Sequence, residues 1–169
     1  MTSYVALLRA INVGGTGKLS MTDLRRLCEQ RGFQKVATYI QSGNVVFDSH
    51  LSELQVKQTL ENVLAAQMGK PFSALVRSAS ELSQIAKSNP FPDAAPNQVL
   101  VLFLAEIPPS DCLSSIVVPG REQLVLRGRE VFVHYPDGMG RSKLKLPFQK
   151  NSTGRNLNTV NKLVAMVEK

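Results

Sequence analysis

The sequence predicts an α+β fold in which a βαββαβ order of elements occurs twice in succession, with antiparallel sheets and a helix closing the chain. Three observations predict it. Short β-rich runs alternate with segments of helical apolar spacing, glycine and serine punctuate the changes, and the order restarts after a proline-rich stretch, Asn89 to Asn97.

Tyr4 to Arg9 is a short apolar run of the kind a buried strand shows, and it ends in the loop Asn12-Val13-Gly14-Gly15-Thr16-Gly17-Lys18. Ser20 with Asp23 three residues on forms a capping-box pattern. Leu24, Leu27 and Cys28 then share one helical face, with Gly32 as the stop. Val36 to Ile40 and Val45 to Asp48 are β-rich runs joined through Gln41-Ser42-Gly43-Asn44, which reads as a tight hairpin because Gly and Asn tolerate positive φ. Ser52 can cap a helix carrying Val56, Leu60, Val63 and Leu64 up to Gly69, and Phe72 to Arg77 reads as the next strand. That order is the ferredoxin-like unit, two helices on one face of an antiparallel sheet. A helix capped by Ser78 with Glu81 follows. The stretch Asn89 to Asn97, with Pro90, Pro92 and Pro96, cannot continue a helix and sets the boundary, giving halves 1–92 and 93–169. In the second half Val99 to Leu104 reads as a buried strand, Pro109 to Ile116 as a short helix, and Gln123 to Leu126 pairs with Glu130 to Tyr135 around Gly128. Pro147 confines any helix between Ser142 and Lys150 to a short piece. A final helix from about Asn156 to Glu168 has Leu157, Val160, Val164 and Val167 as its apolar face.

The 169 residues are 43% hydrophobic and 20% charged, a globular balance with no disordered or fibrous bias. Arg9 interrupts the first apolar run, and no later one approaches the ~20 residues a bilayer needs, so a cytoplasmic protein without a membrane partner is expected. Cys28 and Cys112 lack both Cys-x-x-Cys spacing and a nearby histidine, which excludes a disulfide framework and a zinc site and leaves two reduced thiols. A net charge of +7 raises the chance of an anionic partner, a phosphate-bearing small molecule or nucleic acid; a solvated basic surface explains it equally well.

Three stretches resemble a known family: Tyr4-Val5-Ala6-Leu7-Leu8-Arg9-Ala10-Ile11-Asn12-Val13-Gly14-Gly15, then Thr38-Tyr39-Ile40-Gln41-Ser42-Gly43-Asn44-Val45-Val46-Phe47, then Thr153-Gly154-Arg155-Asn156-Leu157-Asn158-Thr159. Together they are similar to the domain-of-unknown-function family 1697. The resemblance implies a two-part ferredoxin-like fold in bacterial cytosolic proteins, and no settled activity. Ala10 stands where that family usually has glycine, and Leu157 where it usually has tryptophan, which removes a stacking platform for a nucleobase.

Gly14-Gly15-Thr16-Gly17-Lys18 follows a strand and precedes a helix, the context in which backbone N–H groups cradle phosphate. It is not a Walker loop: Asn12 holds the first glycine position and Leu19 the place of the magnesium-binding hydroxyl. A plain glycine-rich connector is the competing reading, and Arg9 with Asn12 beside the loop favours an anion. Ser42 and Asn44 have a turn explanation, and Arg155, Asn156 and Asn158 lie where Asn156 can cap the last helix. The candidate ligand-binding set is therefore Arg9, Asn12, Gly14, Gly15, Lys18, Ser42, Asn44, Arg155, Asn156 and Asn158, a set whose members must converge on one cleft. Between Arg121 and Arg155 eight cations face Glu122, Glu130 and Asp137, a candidate polyanion footprint with thin aromatic interleaving. His50 and His134 are isolated, no nucleophile stands at triad spacing, and no cofactor motif is present. The leading expectation is a non-catalytic module for a phosphate-bearing ligand. The alternatives are an enzyme on a small phosphorylated or carboxylated substrate, with Asp48, His134 or Tyr39 as acid or base, and a protein-interaction scaffold.

Overall fold

The structure is a computed structural model that describes residues 1–8, 20–39, 43–69, 71–148 and 152–167. It begins with strand β1 (Thr2–Leu8), helix α1 (Met21–Gln30), strands β2 (Gln34–Tyr39) and β3 (Asn44–Ser49), helix α2 (Glu53–Met68), strand β4 (Ala74–Ser78) and helix α3 (Ala79–Lys87). There follow β5 (Val99–Leu104), β6 (Gln123–Arg127), β7 (Glu130–His134), β8 (Ser152–Asn156) and α4 (Leu157–Val167). The strands form two four-stranded antiparallel sheets, ordered β2-β3-β1-β4 and β6-β7-β5-β8. The fold is thus α+β, with a helix after the last strand. Two compact units divide the chain, Met1–Leu82 with Leu163–Lys169 and Ser83–Lys162, so both bounds fall inside helices, α3 and α4. Among the described residues, no helix is long and apolar enough to cross a membrane.

In the first unit local chemistry sets the helix ends. Ser20 Oγ accepts a hydrogen bond from the Asp23 amide at 3.0 Å. Ser52 and Gln55 close a reciprocal capping box, and Gly69 ends α2 in the left-handed region at φ 71. One sheet face, with Tyr4, Ala6, Leu8, Val45, Phe47, Ala74 and Val76, packs against Leu24 and Cys28 of α1 and against Val56, Leu60 and Leu64 of α2. Phe33 stacks on Phe47 with ring centroids 4.4 Å apart. Val5, Leu7, Val46 and Leu75 on the other face are buried too, which is why β1 reads as a continuous apolar run rather than an alternating one. Glu61 Oε2 on α2 accepts from Lys57 Nζ at 2.7 Å and from the Ala74 amide at 3.0 Å, while Lys57 also donates to the Ala74 carbonyl at 2.7 Å, so one ion pair satisfies both backbone groups at the start of edge strand β4.

The second unit departs from expectation. The segment Pro109 to Ile116 is not a helix: its amides bond three residues back, Cys112 to Pro109, Ser114 to Asp111 and Ile116 to Leu113, in successive turns. Ser114 Oγ donates to the Asp111 carbonyl at 2.7 Å, the side-chain competition that keeps such residues out of helices, and the β-branched Ile116-Val117-Val118 follows. Helix-like geometry between β7 and β8 is confined to a 3₁₀ turn, Met139–Arg141, among the described residues. Where α1 and α2 cover the first sheet, the second is covered by loop side chains. Leu102, Leu104, Val131, Val133 and Tyr135 pack against Leu113, Met139, Leu144, Leu146 and Phe148.

The two sheets nevertheless repeat in register. Val5 lies opposite Arg77 across β1 and β4, and Val101 lies opposite Arg155 across β5 and β8. Each arginine donates from a terminal nitrogen to the carbonyl one residue before it, Arg77 to Val76 at 3.0 Å and Arg155 to Gly154 at 2.9 Å. Each is followed by a helix cap: Ser78 Oγ accepts from the Glu81 amide, and Asn156 Oδ1 accepts from the Thr159 amide. The last helix buries Leu157, Val160 and Leu163, while Val164 and Val167 are only half-buried.

Candidate functional site

A groove in the second unit brings together the features a ligand site needs. One wall is the extended segment from Arg141 to Phe148. Its side chains alternate: Leu144, Leu146 and Phe148 turn into the loop-covered core, and Arg141, Lys143, Lys145 and Pro147 are exposed. Ser142 fixes the start of this wall, accepting from the Leu144 amide and donating to Glu122 Oε1, both at 3.1 Å. The other wall is the end of the turn segment, Ser115 to Val117, with Pro119. Between them lies a groove of about 460 Å³ lined by Ser115, Ile116, Val117, Pro119, Lys143, Lys145, Leu146 and Pro147. Val117 is 82% exposed, so its apolar surface is offered to whatever enters. No acidic residue lines the groove, and neither lysine pairs with a carboxylate among the described residues. Cations over an apolar floor suit an amphiphilic anion.

A smaller pocket of about 190 Å³ adjoins it through Pro119 and Lys143 and adds Gly120, Glu122, Tyr135, Asp137, Gly138, Arg141 and Ser142. Its carboxylates have partners. Glu122 accepts from the Gly120 amide at 3.1 Å and from Ser142, and Asp137 accepts from Arg121 Nε at 3.2 Å and again from its terminal nitrogen. Those hydrogen bonds hold the Asp137 carboxyl below its ordinary range, while burial and then the nearby Glu122 charge push the Tyr135 phenol up. The two contacts clip residues 120–122 to 137–142, which defines the back of the pocket.

Arg9, Asn12, Gly14, Gly15, Lys18 and Ser42 lie outside the described residues. Asn44 is fully buried at the start of β3 and donates from Nδ2 to the Tyr39 carbonyl at 3.1 Å, bracing the hairpin. Arg155 and Asn156 hold the strand-to-helix corner described above, and burial lowers the Arg155 guanidinium to about 10. A Cβ on Gly154 would meet Leu100 Cδ1 at 3.0 Å, so any larger residue there needs the Leu100 side chain to give way. Thr153 Oγ1, buried beside it, has no hydrogen-bond partner among the described residues. Asn158 is exposed on the first turn of α4. Asp48 accepts from Ser3 Oγ at 2.6 Å, and His134 lies 5.3 Å from the Phe91 ring. No group of three or more His, Cys, Asp or Glu side chains among the described residues could hold a metal ion. Sequence reasoning found the basic excess after Arg121 but not the groove. The missed signal was the period-2 pattern Lys143-Leu144-Lys145-Leu146, which marks an extended chain with cations on one side.

The model of a family described as "Protein of unknown function (DUF1697)" matches residues 1–132. The chain belongs to the DUF1697 family. A solved structure, that of the conserved bacterial protein SP0830 from Streptococcus pneumoniae, superposes with a TM-score of 0.82 at 28% identity, covering 98% of each chain. No curated protein matches. The match to SP0830 runs through both units of the DUF1697 chain, including the loop-covered second sheet.

Proposed function

We propose that this DUF1697 protein is a non-catalytic binding module for a phosphate-bearing ligand, received by the Lys143 and Lys145 groove. The observation that carries the reading is the pair of lysines, exposed and without an acidic partner among the described residues, on one wall of an apolar concavity. Phosphate is the anion of choice because a monoester carries about −1.5 to −2 charges at neutral pH, enough to engage both ammonium groups. The reading takes each unit as ferredoxin-like, the halves as 1–92 and 93–169, and the setting as the bacterial cytoplasm. It also keeps Arg9, Asn12, Gly14, Gly15, Lys18, Ser42 and Asn44 as candidate anion contacts of the first unit, and Arg155, Asn156 and Asn158 as candidates of the second. The test is a thermal-shift panel at low salt with inorganic phosphate, mononucleotides, alkyl phosphates and short RNA and DNA. A ligand that binds the native state raises the melting temperature, and the rise should shrink as salt is added. A flat response across the panel rejects the reading.

A further inference from the structure

The lining of the groove narrows the class of phosphate ester it can hold. Resting on the reading above, we infer that the ligand is a soluble phosphate monoester of an apolar alcohol, its hydrocarbon on Ile116, Val117 and Leu146 and its phosphate between Lys143 and Lys145. A nucleoside fits poorly. No aromatic side chain lines the groove for a base to stack on, and Ser115 is its one neutral polar side chain, so a base and a ribose would lose water without gaining hydrogen bonds. A polyanion fits poorly as well. Beyond Lys143 the surface continues into the pocket where Glu122 and Asp137 are balanced by Arg141 and by the Arg121 paired to Asp137, so a second phosphate meets no net positive charge along the same track. One anionic head and one apolar body match the lining, two exposed lysines beside Ile116, Val117 and the half-buried Leu146. A concavity of about 460 Å³ accepts a free molecule of that shape, whereas a bilayer offers a flat face.

The experiment is isothermal titration of the full chain with inorganic phosphate, AMP, ethyl, butyl and hexyl phosphate, and phosphatidylcholine vesicles doped with phosphatidic acid. Each added methylene should tighten binding by up to roughly four-fold, the measure of its transfer from water. Hexyl phosphate should therefore bind at least about ten-fold tighter than inorganic phosphate or AMP. Val117→Asn, at an exposed position that leaves the core untouched, should flatten the chain-length series while sparing inorganic phosphate. Equal affinity for AMP, inorganic phosphate and hexyl phosphate overturns the inference and leaves the phosphate reading standing. Binding of the vesicles without the soluble esters overturns it in favour of a membrane surface. Binding of none of the probes rejects the inference and the reading together.

Discussion

Neutralising Lys143 and Lys145 should weaken binding of a phosphate monoester by an amount set by the exposure of both lysines at the groove rim. Two unit charges 4 Å apart in water interact by about 1 kcal/mol, and an exposed lysine at a groove rim belongs near that limit rather than the interior one. A phosphate of about −1.5 charges raises the figure to roughly 1.5 kcal/mol, and screening over a Debye length of about 8 Å returns it to about 1 kcal/mol per lysine. Lys143→Gln or Lys145→Gln should then cost about five-fold in Kd for hexyl phosphate, and the double variant about 30-fold. Both side chains alternate away from the apolar core, so the melting temperature of the free protein should not move appreciably. Titration calorimetry at low and high salt reads the effect. The wild-type affinity should fall with salt, the double variant's much less. Lys143→Arg with Lys145→Arg should retain most of the affinity. A double Gln variant that binds within about two-fold of wild type refutes the electrostatic argument, as does an Arg variant that loses as much as Gln.

Three further outcomes follow from the fold. Glu61→Ala strips the partner from the fully buried Ala74 amide and one of two from Lys57, and should cost about 2 kcal/mol in denaturant unfolding, with the sheet 1 edge opening first in hydrogen exchange. Thr153→Val removes a buried hydroxyl that has no partner among the described residues and keeps the side-chain shape, so it should be neutral or stabilising by up to about 1 kcal/mol; a loss larger than that would mean the hydroxyl is bonded. Burial pushes the Cys28 thiol from its ordinary 9.0 up to about 12, so the unfolded chain releases that proton first as pH rises. Its contribution to stability is complete below pH 9.0 and is lost toward 12, and native Cys28 should resist alkylation that labels the partly exposed Cys112.

The first unit was legible because its signals are local. Ser52 and Gln55 make a capping box whatever surrounds them, Gly69 supplies the left-handed residue, and Val56, Leu60 and Leu64 recur at helical spacing. The second unit was less so because its core is closed by loops, whose apolar residues follow no helical period. Leu113 falls in the expected Pro109 to Ile116 helix that Ser114 and Asp111 undo, and Leu144 and Leu146 fall in the Ser142 to Lys150 stretch to which the sequence assigns no more than a short helical piece. The candidate site suffers the same limit. Lysines at alternate positions carry no motif, and only the facing turn of Ser115 to Val117, distant in sequence, turns them into one wall of a groove. The Thr153-Gly154-Arg155-Asn156 motif was visible but ambiguous, since close approach to Leu100 and a cap to Thr159 explain Gly154 and Asn156 without a ligand.

The most direct test is a chemical-shift map of the protein during titration with hexyl phosphate. The backbone amides of Lys143 and Lys145 and the methyl groups of Ile116, Val117 and Leu146 should move together on one binding curve, while those of Leu24 and Leu60 stay fixed. Saturable shifts centred on α1 or α2, with residues 115–119 and 143–147 silent, would contradict the account.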